Sequence, residues 1–347
     1  MSDLTLQKVG KTGRITLNRP DALNAVTHEQ VRKILDILPR WAGDDDIRML
    51  VIDATGDRAF SAGGDLMGIY DAMVAGDYDR ARQFWRDEYA MNAALFHFPK
   101  PVATFLQGFT MGGGVGVGCH GSHRIVGDTS RIAMPECGIG LAPDVGGTLL
   151  LARAPGRLGE YLGTTAYRMG PGDAIFAGFA DYYIDQSKWP ELIATLEDSG
   201  DWTKIDDARD PVPDAPLADM QARIDATFGG ETLRDIVNVL RADESDWAQD
   251  TLKAMDRNAP RAMAAAIELV HRARARDNIE AALTREYRFN HRIAAAGDFQ
   301  EGIRALIVDK DKRPSWGADA PESASQAEVA AMLMPLGPEE LNLEDAK

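Results

Sequence analysis

Met111-Gly112-Gly113-Gly114-Val115-Gly116, then Met134-Pro135-Glu136 and, eight residues on, Asp144, form the stretch that decides how this chain is read. Glycines this dense let the backbone approach a ligand closely and leave its N–H groups free to point at it. Two carboxylates a short loop apart supply what acyl chemistry asks of side chains: a base or nucleophile, and a group that holds or protonates its partner. Upstream, Leu50-Val51-Ile52-Asp53-Ala54-Thr55 is a short apolar run of the kind found in buried strands. It leads through a turn into Ala59-Phe60-Ser61-Ala62-Gly63-Gly64-Asp65-Leu66. A similar run, Val102-Ala103-Thr104-Phe105-Leu106, leads through Gln107-Gly108 into the glycine cluster. Each strand-to-glycine-to-helix transition can donate one backbone N–H, and two such donors aimed at one carbonyl oxygen make an oxyanion hole.

Outward from this stretch, the first hundred residues alternate strand and helix. Ile15-Thr16-Leu17 reads as a strand that ends at Asn18-Arg19-Pro20, where proline stops the ladder. Thr27 is placed to cap a helix, with Gln30 in the capping-box position and Val31, Ile34, Leu35 and Leu38 as its apolar stripe. Strands at 49–54 and 102–106 follow, with helix between them. This alternation predicts βαβ units and a mainly parallel sheet. After about residue 148 the character turns helical. Leu158 to Leu162 opens one segment, Pro171 starts another, and Arg261–Ala275 and Ile279–Ala295 are strongly helical. Residues 188–250, with several Trp and Pro, read only as helix-rich. The acidic segment after Trp316 reads as a loosely held tail with one weak helix at 325–333. The expected class is α/β followed by α: a core with helical extension over 1–250, a helical region over 251–316, and a tail over 317–347.

A chain of 347 residues can bury a large core. A net charge of −16 argues against a nucleic-acid surface, although a local basic cluster can still serve an anionic ligand. No run approaches a membrane span, and the start Met-Ser-Asp-Leu-Thr-Leu has neither a signal peptide's apolar core nor an import signal's basic face. A cytoplasmic protein without membrane contact is therefore expected. The two cysteines, Cys119 and Cys137, match no metal motif and read as reduced, partly buried thiols. His120 and His123 lack the spacing of a metal pair and read as structural, and no metal is expected.

These motifs are where the chain resembles the crotonase (enoyl-CoA hydratase/isomerase) superfamily and, within it, the 3-hydroxyisobutyryl-CoA hydrolase branch. The resemblance begins at Leu17-Asn18-Arg19-Pro20-Asp21-Ala22-Leu23-Asn24-Ala25 and runs through Ala59–Asp65, Met111–Gly116 and Ala133–Gly147. It resumes at Glu286-Tyr287-Arg288 and Asp298–Ala305. It implies the crotonase ββα spiral, with C-terminal helices covering the site. It implies Gly64 and Gly113 as the oxyanion hole, Glu136 as a catalytic glutamate, and Glu88 as a substrate-contacting acid. Asp144 matches an acid that the hydrolases carry where hydratases have glycine. Read by position alone, Glu88 is a solvated helix acid, Glu136 a surface acid near a helix N-terminus, and Asp144 a turn former after proline. Asp65 reads as capping or turning the first glycine loop. The pantetheine and nucleotide are expected along Ala22-Leu23-Asn24, with Arg19, Lys310 and Lys312 as candidate phosphate partners. No cofactor beyond the coenzyme A of the substrate is implied. A homo-oligomer, trimeric or a multiple of trimers, is.

One departure from the hydratase pattern bears on the reaction. Hydratases carry a second catalytic glutamate three residues after the oxyanion glycine, and here that position is Gly116. The expected reaction is thioester hydrolysis of a short 3-hydroxyacyl-CoA, with 3-hydroxyisobutyryl-CoA from valine breakdown foremost. Glu136 either attacks the thioester or activates water, while Asp144 orients the substrate hydroxyl or assists proton transfer. Three other readings stand beside it: hydration or isomerisation of an enoyl-CoA, a different acyl group such as 3-hydroxypropionyl, and a non-catalytic acyl-CoA-binding protein.

Overall fold

The computed structural model describes residues 2–318 and 320–343. β1 (Leu4–Val9) and β2 (Thr12–Leu17) form an antiparallel hairpin. The strands β3 (Met49–Ala54), β5 (Val102–Phe105), β7 (His123–Val126) and β9 (Tyr182–Tyr183) extend it in parallel, giving a six-stranded sheet in the order β1-β2-β3-β5-β7-β9. A second, three-stranded parallel sheet is built from β4 (Ala59–Ser61), β6 (Phe109–Met111) and β8 (Arg131–Ala133). Each turn of the chain lays one strand in the large sheet and the next in the small one, and helices follow β4 and β6. This is the expected ββα spiral with a mainly parallel sheet. The two glycine loops emerge at the ends of β4 and β6, which are neighbours in the small sheet. That adjacency brings together loops separated by about fifty residues of chain.

The centre of the large sheet is buried on both faces, which is why β3 reads as an unbroken apolar run rather than an alternating one. Leu50 and Ile52 join the main core with Val31, Ile34 and Leu38 of the helix His28–Ala42. Met49 and Val51 point the other way, into a smaller cluster with Phe105, Ile125, Trp189, Leu192 and Leu196. The helix Trp189–Ser199 thus covers the back of the sheet, and each of its fully buried side chains adds on the order of 2 kcal/mol. The rest of the stretch that sequence left undivided forms helices Thr203–Ala208, Pro216–Thr227, Leu233–Ala242 and Asp246–Met255. The Thr27–Gln30 capping box is present with both of its hydrogen bonds.

Helices Pro260–Ala275 and Ile279–Ala296 fold back onto the spiral, and the main core continues from Leu4 to Leu343 without a break near residue 250. The expectation of a loosely held tail is corrected for residues 320–343. The helix Gln326–Met332 is there, but Val329, Leu333, Leu341 and Leu343 are buried in the main core. Arg261 pairs with Glu328 at 2.7 Å, Arg288 with Glu340 at 2.7 Å, and Arg86 with Glu339 at 2.9 Å. Acidic composition suggested a solvated tail; alternate apolar anchors and matching arginines on the body hold it instead. Asp319 and residues 344–347 of the tail lie outside the described residues.

Candidate active site

The helix Tyr78–Phe96 supplies one wall of the site because its residues recur every turn on one face. Phe84, Trp85 and Glu88 line a cavity of about 80 Å³ together with Gly63, Gly64, Gly112, Gly113, Glu136 and Asp144. Apolar surface comes from Leu66, Ile69, Leu141 and Phe299. Phe299, on the C-terminal helix Asp298–Ile303, packs on Trp85 with ring centroids 5.7 Å apart, so that helix closes the cavity as expected. Five of the seven residues expected at the site therefore converge here: Gly64, Gly113, Glu88, Glu136 and Asp144.

The glycine loops meet closely. A Cβ on Gly113 would lie 2.8 Å from Glu88 Oε1 and 3.1 Å from Gly64 N, so a side chain there would crowd both the acid and the first glycine loop. Among the described residues, neither the Gly64 N–H nor the Gly113 N–H donates a hydrogen bond. A Cβ on Gly112 would lie 3.2 Å from Glu136 Oε1, which puts that carboxyl over the same spot. Two free backbone donors beside a carboxyl match the parts list of an acyl-transfer site. At Gly116 a Cβ would meet Asn92 Nδ2 at 2.6 Å and Val145 Cβ at 2.8 Å. The position is filled from outside, so a second acid there has no room.

Ala22 and Asn24 lie outside this small cavity, and their expected contact with pantetheine and nucleotide stays a proposal. The Asn24 amide is consumed by the protein: it accepts from Arg19 N and donates to Thr55 O and Ala59 O. Its segment braces the first glycine loop, since Ala62 N donates to Leu23 O, Val26 N to Gly63 O, and Asp65 N to Val26 O. Ala22 lies on the exposed turn before it. Asp65 makes no side-chain cap; its carboxylate pairs with Arg19 at 3.0 Å, which takes up the guanidinium expected at phosphate. The Lys310 and Lys312 side chains make no ion pair among the described residues. His120 is structural, as expected: Nε2 donates to Val145 O at 2.7 Å, propping a residue held at φ 54°. His123 stacks on Tyr182 outside the site. Both cysteines are free and buried.

Sequence reading missed three residues that hold the acids. Tyr89 Oη and Asn290 Nδ2 both donate to Asp144 Oδ2, at 2.7 and 2.9 Å. Glu286 accepts from Gly146 N at 2.8 Å, Thr148 N at 3.1 Å and the Thr148 hydroxyl, clamping the loop that carries Asp144. Glu286 and Asn290 sit four apart on one helix face, the only signal that could have grouped them.

The cavity holds acids without a cation. Burial pushes Asp144 up to about 6 against the pull of Tyr89 and Asn290. Burial, then the charge of Asp144, raises Glu136 well above the usual carboxylate range, and Glu88 likewise. Burial raises Glu286 to about 8 despite its donors. Neither oxygen of Glu136 has a hydrogen-bond partner. Such a set of perturbed, unpaired acids in a cleft marks chemistry rather than scaffolding.

Known proteins agree with this geometry. A profile of the enoyl-CoA hydratase/isomerase family matches residues 12–333. A chicken (Gallus gallus) protein named 3-hydroxyisobutyryl-CoA hydrolase, mitochondrial, is 35% identical, covering 99% of this chain and 91% of that one. The crystal structure of an enoyl-CoA hydratase from Rhodobacter sphaeroides 2.4.1 superposes with a TM-score of 0.94 at 50% identity, covering 98% of this chain and 100% of that chain. A carnitinyl-CoA dehydratase from Mycobacterium thermoresistibile gives a TM-score of 0.94 at 38% identity over 99% of both chains. With its spiral, its paired glycine loops and its acids in place, the chain belongs to the enoyl-CoA hydratase/isomerase, or crotonase, family.

Proposed function

We propose that this protein hydrolyses the thioester of a short 3-hydroxyacyl-CoA, 3-hydroxyisobutyryl-CoA foremost, to 3-hydroxyisobutyrate and CoA, a step of valine breakdown. The observation that carries the reading is the convergence of Glu136 and Asp144 on two unengaged backbone donors, with Gly116 walled off from any second glutamate. The relatives named as hydrolases support the substrate. The thioester oxygen sits between the N–H groups of Gly64 and Gly113. Those donors act on charge that develops only in the tetrahedral transition state, so they raise the rate rather than tighten binding. Glu136 either attacks the thioester carbon, expelling CoA thiolate and leaving an anhydride for water to open, or draws a proton from an attacking water. Asp144 orients the substrate hydroxyl or passes a proton. Glu88, beside Gly113, contacts the acyl group. The narrow cavity and its aromatic walls suit a short branched acyl chain, and no cofactor beyond the substrate is needed.

Hydration of an enoyl-CoA is the second reading, favoured by the structure from Rhodobacter described as a hydratase. One experiment separates the two. A panel of short acyl-CoAs is incubated with the protein while free thiol and enoyl absorbance are followed. Hydrolysis releases thiol from 3-hydroxyisobutyryl-CoA; loss of enoyl absorbance from crotonyl-CoA at a comparable rate, without thiol, assigns hydration instead. An acyl-CoA-binding protein gives neither. The same proposal includes a homo-oligomer of trimeric type, tested by sedimentation. It also includes a cytoplasmic location, against vertebrate relatives whose names say mitochondrial; cell fractionation decides.

A further inference from the structure

Tyr89 and Asn290 reach the same oxygen of Asp144 from two helices, Tyr78–Phe96 and Ile279–Ala296. Asn290 Nδ2 also lies 2.6 Å from Tyr89 Oη, so the three groups close a triangle. Glu136, in the same cavity, receives no hydrogen bond at either oxygen, and Glu88 receives none at Oε1. A carboxyl fed by two donors keeps its charge at little cost, whereas a carboxyl without donors in an apolar pocket keeps its proton.

We infer that Tyr89 and Asn290 are positioning residues that hold the charge of the Glu136–Asp144 pair on Asp144 and leave the proton on Glu136 in the free enzyme. The surroundings of Asp144 leave no other side chain to do this. The helix Tyr78–Phe96 presents Glu88 and Tyr89, the turn Glu136–Ile139 presents Glu136, and the helix Ile279–Ala296 presents Glu286 and Asn290. His120 stands behind Val145, and burial lowers it to about 4, so it is neutral. Glu286 is turned to Gly146 and Thr148. The directions of the shifts agree: burial raises both members of the pair, but only Asp144 is pulled back by side-chain donors. Glu136 then begins turnover protonated and passes its proton to the Asp144 carboxylate in the same cavity before it attacks the thioester or activates water, so the acid limb of kcat/KM follows the first ionisation of the pair.

Two measurements test this, and only the first rests on the hydrolase reading. The pH profile of kcat/KM for thiol release is compared between wild type, Tyr89→Phe and Asn290→Ala. Loss of a donor raises Asp144, so the acid limb moves up by about one pH unit and the rate recovers above it. A limb that stays in place while the rate falls evenly at all pH assigns the pair to packing and overturns the inference. Tyr89→Phe keeps the ring and its packing, which guards against a folding defect in Asn290→Ala. The second measurement is infrared spectroscopy of protein labelled with carbon-13 at the aspartate side-chain carboxyl, which needs no turnover. Wild type at neutral pH shows little protonated-carboxyl band that depends on Asp144. Tyr89→Phe brings up such a band, and Asp144→Asn in the same background removes it. A strong Asp144-dependent band already present in wild type sinks the inference, whereas a silent thiol assay with the expected infrared pattern sinks only the hydrolase reading.

Discussion

Two buried acid clusters in this molecule share a residue type and differ in everything else. Glu160, on the helix Leu158–Thr165, is met by Arg274 at 2.7 Å, Arg157 at 2.9 Å and His271 at 3.1 Å. Burial alone would raise its carboxyl, but these partners overcome the penalty and bring it down to about 2. Glu136 is as deeply buried, no cation lines its cavity, and its carboxyl is driven far upward. The first cluster pins the helix Leu158–Thr165 to Pro260–Ala275 and spends its charge on structure. The second leaves its acids unneutralised next to free backbone donors, which costs stability and keeps them available for reaction. Burial is common to both; the identity of the neighbours decides which acid is scaffold and which is reagent.

The comparison can be broken at several points. The largest effect is expected from Glu136→Gln, which should lower kcat for thiol release by at least about 10³-fold while CoA-ester affinity survives. Near-normal turnover would move Glu136 to the scaffold class. Next, Glu160→Gln should cost roughly 3 kcal/mol of stability at neutral pH and leave the chemistry alone. Its folded pKa lies below the ordinary 4.5, so its contribution is present above that value and is lost as pH falls toward about 2. Urea midpoints of wild type and variant should therefore converge in acid; a gap that stays constant with pH contradicts the ion-pair account. Gly116→Ala comes third. Its Cβ must push Asn92 and Val145 aside, at a cost of about 2 kcal/mol. Gly116→Glu should bring no hydration of crotonyl-CoA, and a hydratase gained by this one change would show that the wall is soft. The smallest effect has the opposite sign. Because the folded pKa of Glu136 is raised, ionising it in the fold costs stability as pH climbs from its unfolded toward its folded value. Glu136→Gln removes that cost and should stabilise the protein at alkaline pH by on the order of 1 kcal/mol, read by thermal unfolding. An inactive variant that is also less stable there would place Glu136 among structural acids.

Much of the site was legible in the chain itself. The strand runs at 49–54 and 102–106, the glycine loops that follow them, the Thr27 capping box and the acids at 136 and 144 are local patterns, and the structure has each where its pattern put it. Gly116 announced the missing acid, and the packing of Asn92 and Val145 against it shows why none can be restored. These features are readable because backbone conformation and capping depend on residues within a turn or two of each other. Asn24 and Asp65 were readable as neighbours of the first glycine loop, but their partners, Ala59 and Arg19, are chosen by packing. Tyr89 and Asn290 were invisible, and Glu286 appeared only inside the motif Glu286-Tyr287-Arg288, with no role attached. Tyr89 is 55 residues from the aspartate it serves, and Asn290 is 146. The chain by itself determined the α/β-then-α order, the glycine loops and the positions of the two acids, while the spiral and the roles of the acids came from the family resemblance. Only the tertiary structure decided which acid is given hydrogen bonds and which is left bare, because a buried carboxyl takes its charge state from whatever side chains the packed helices bring within 3 Å of it.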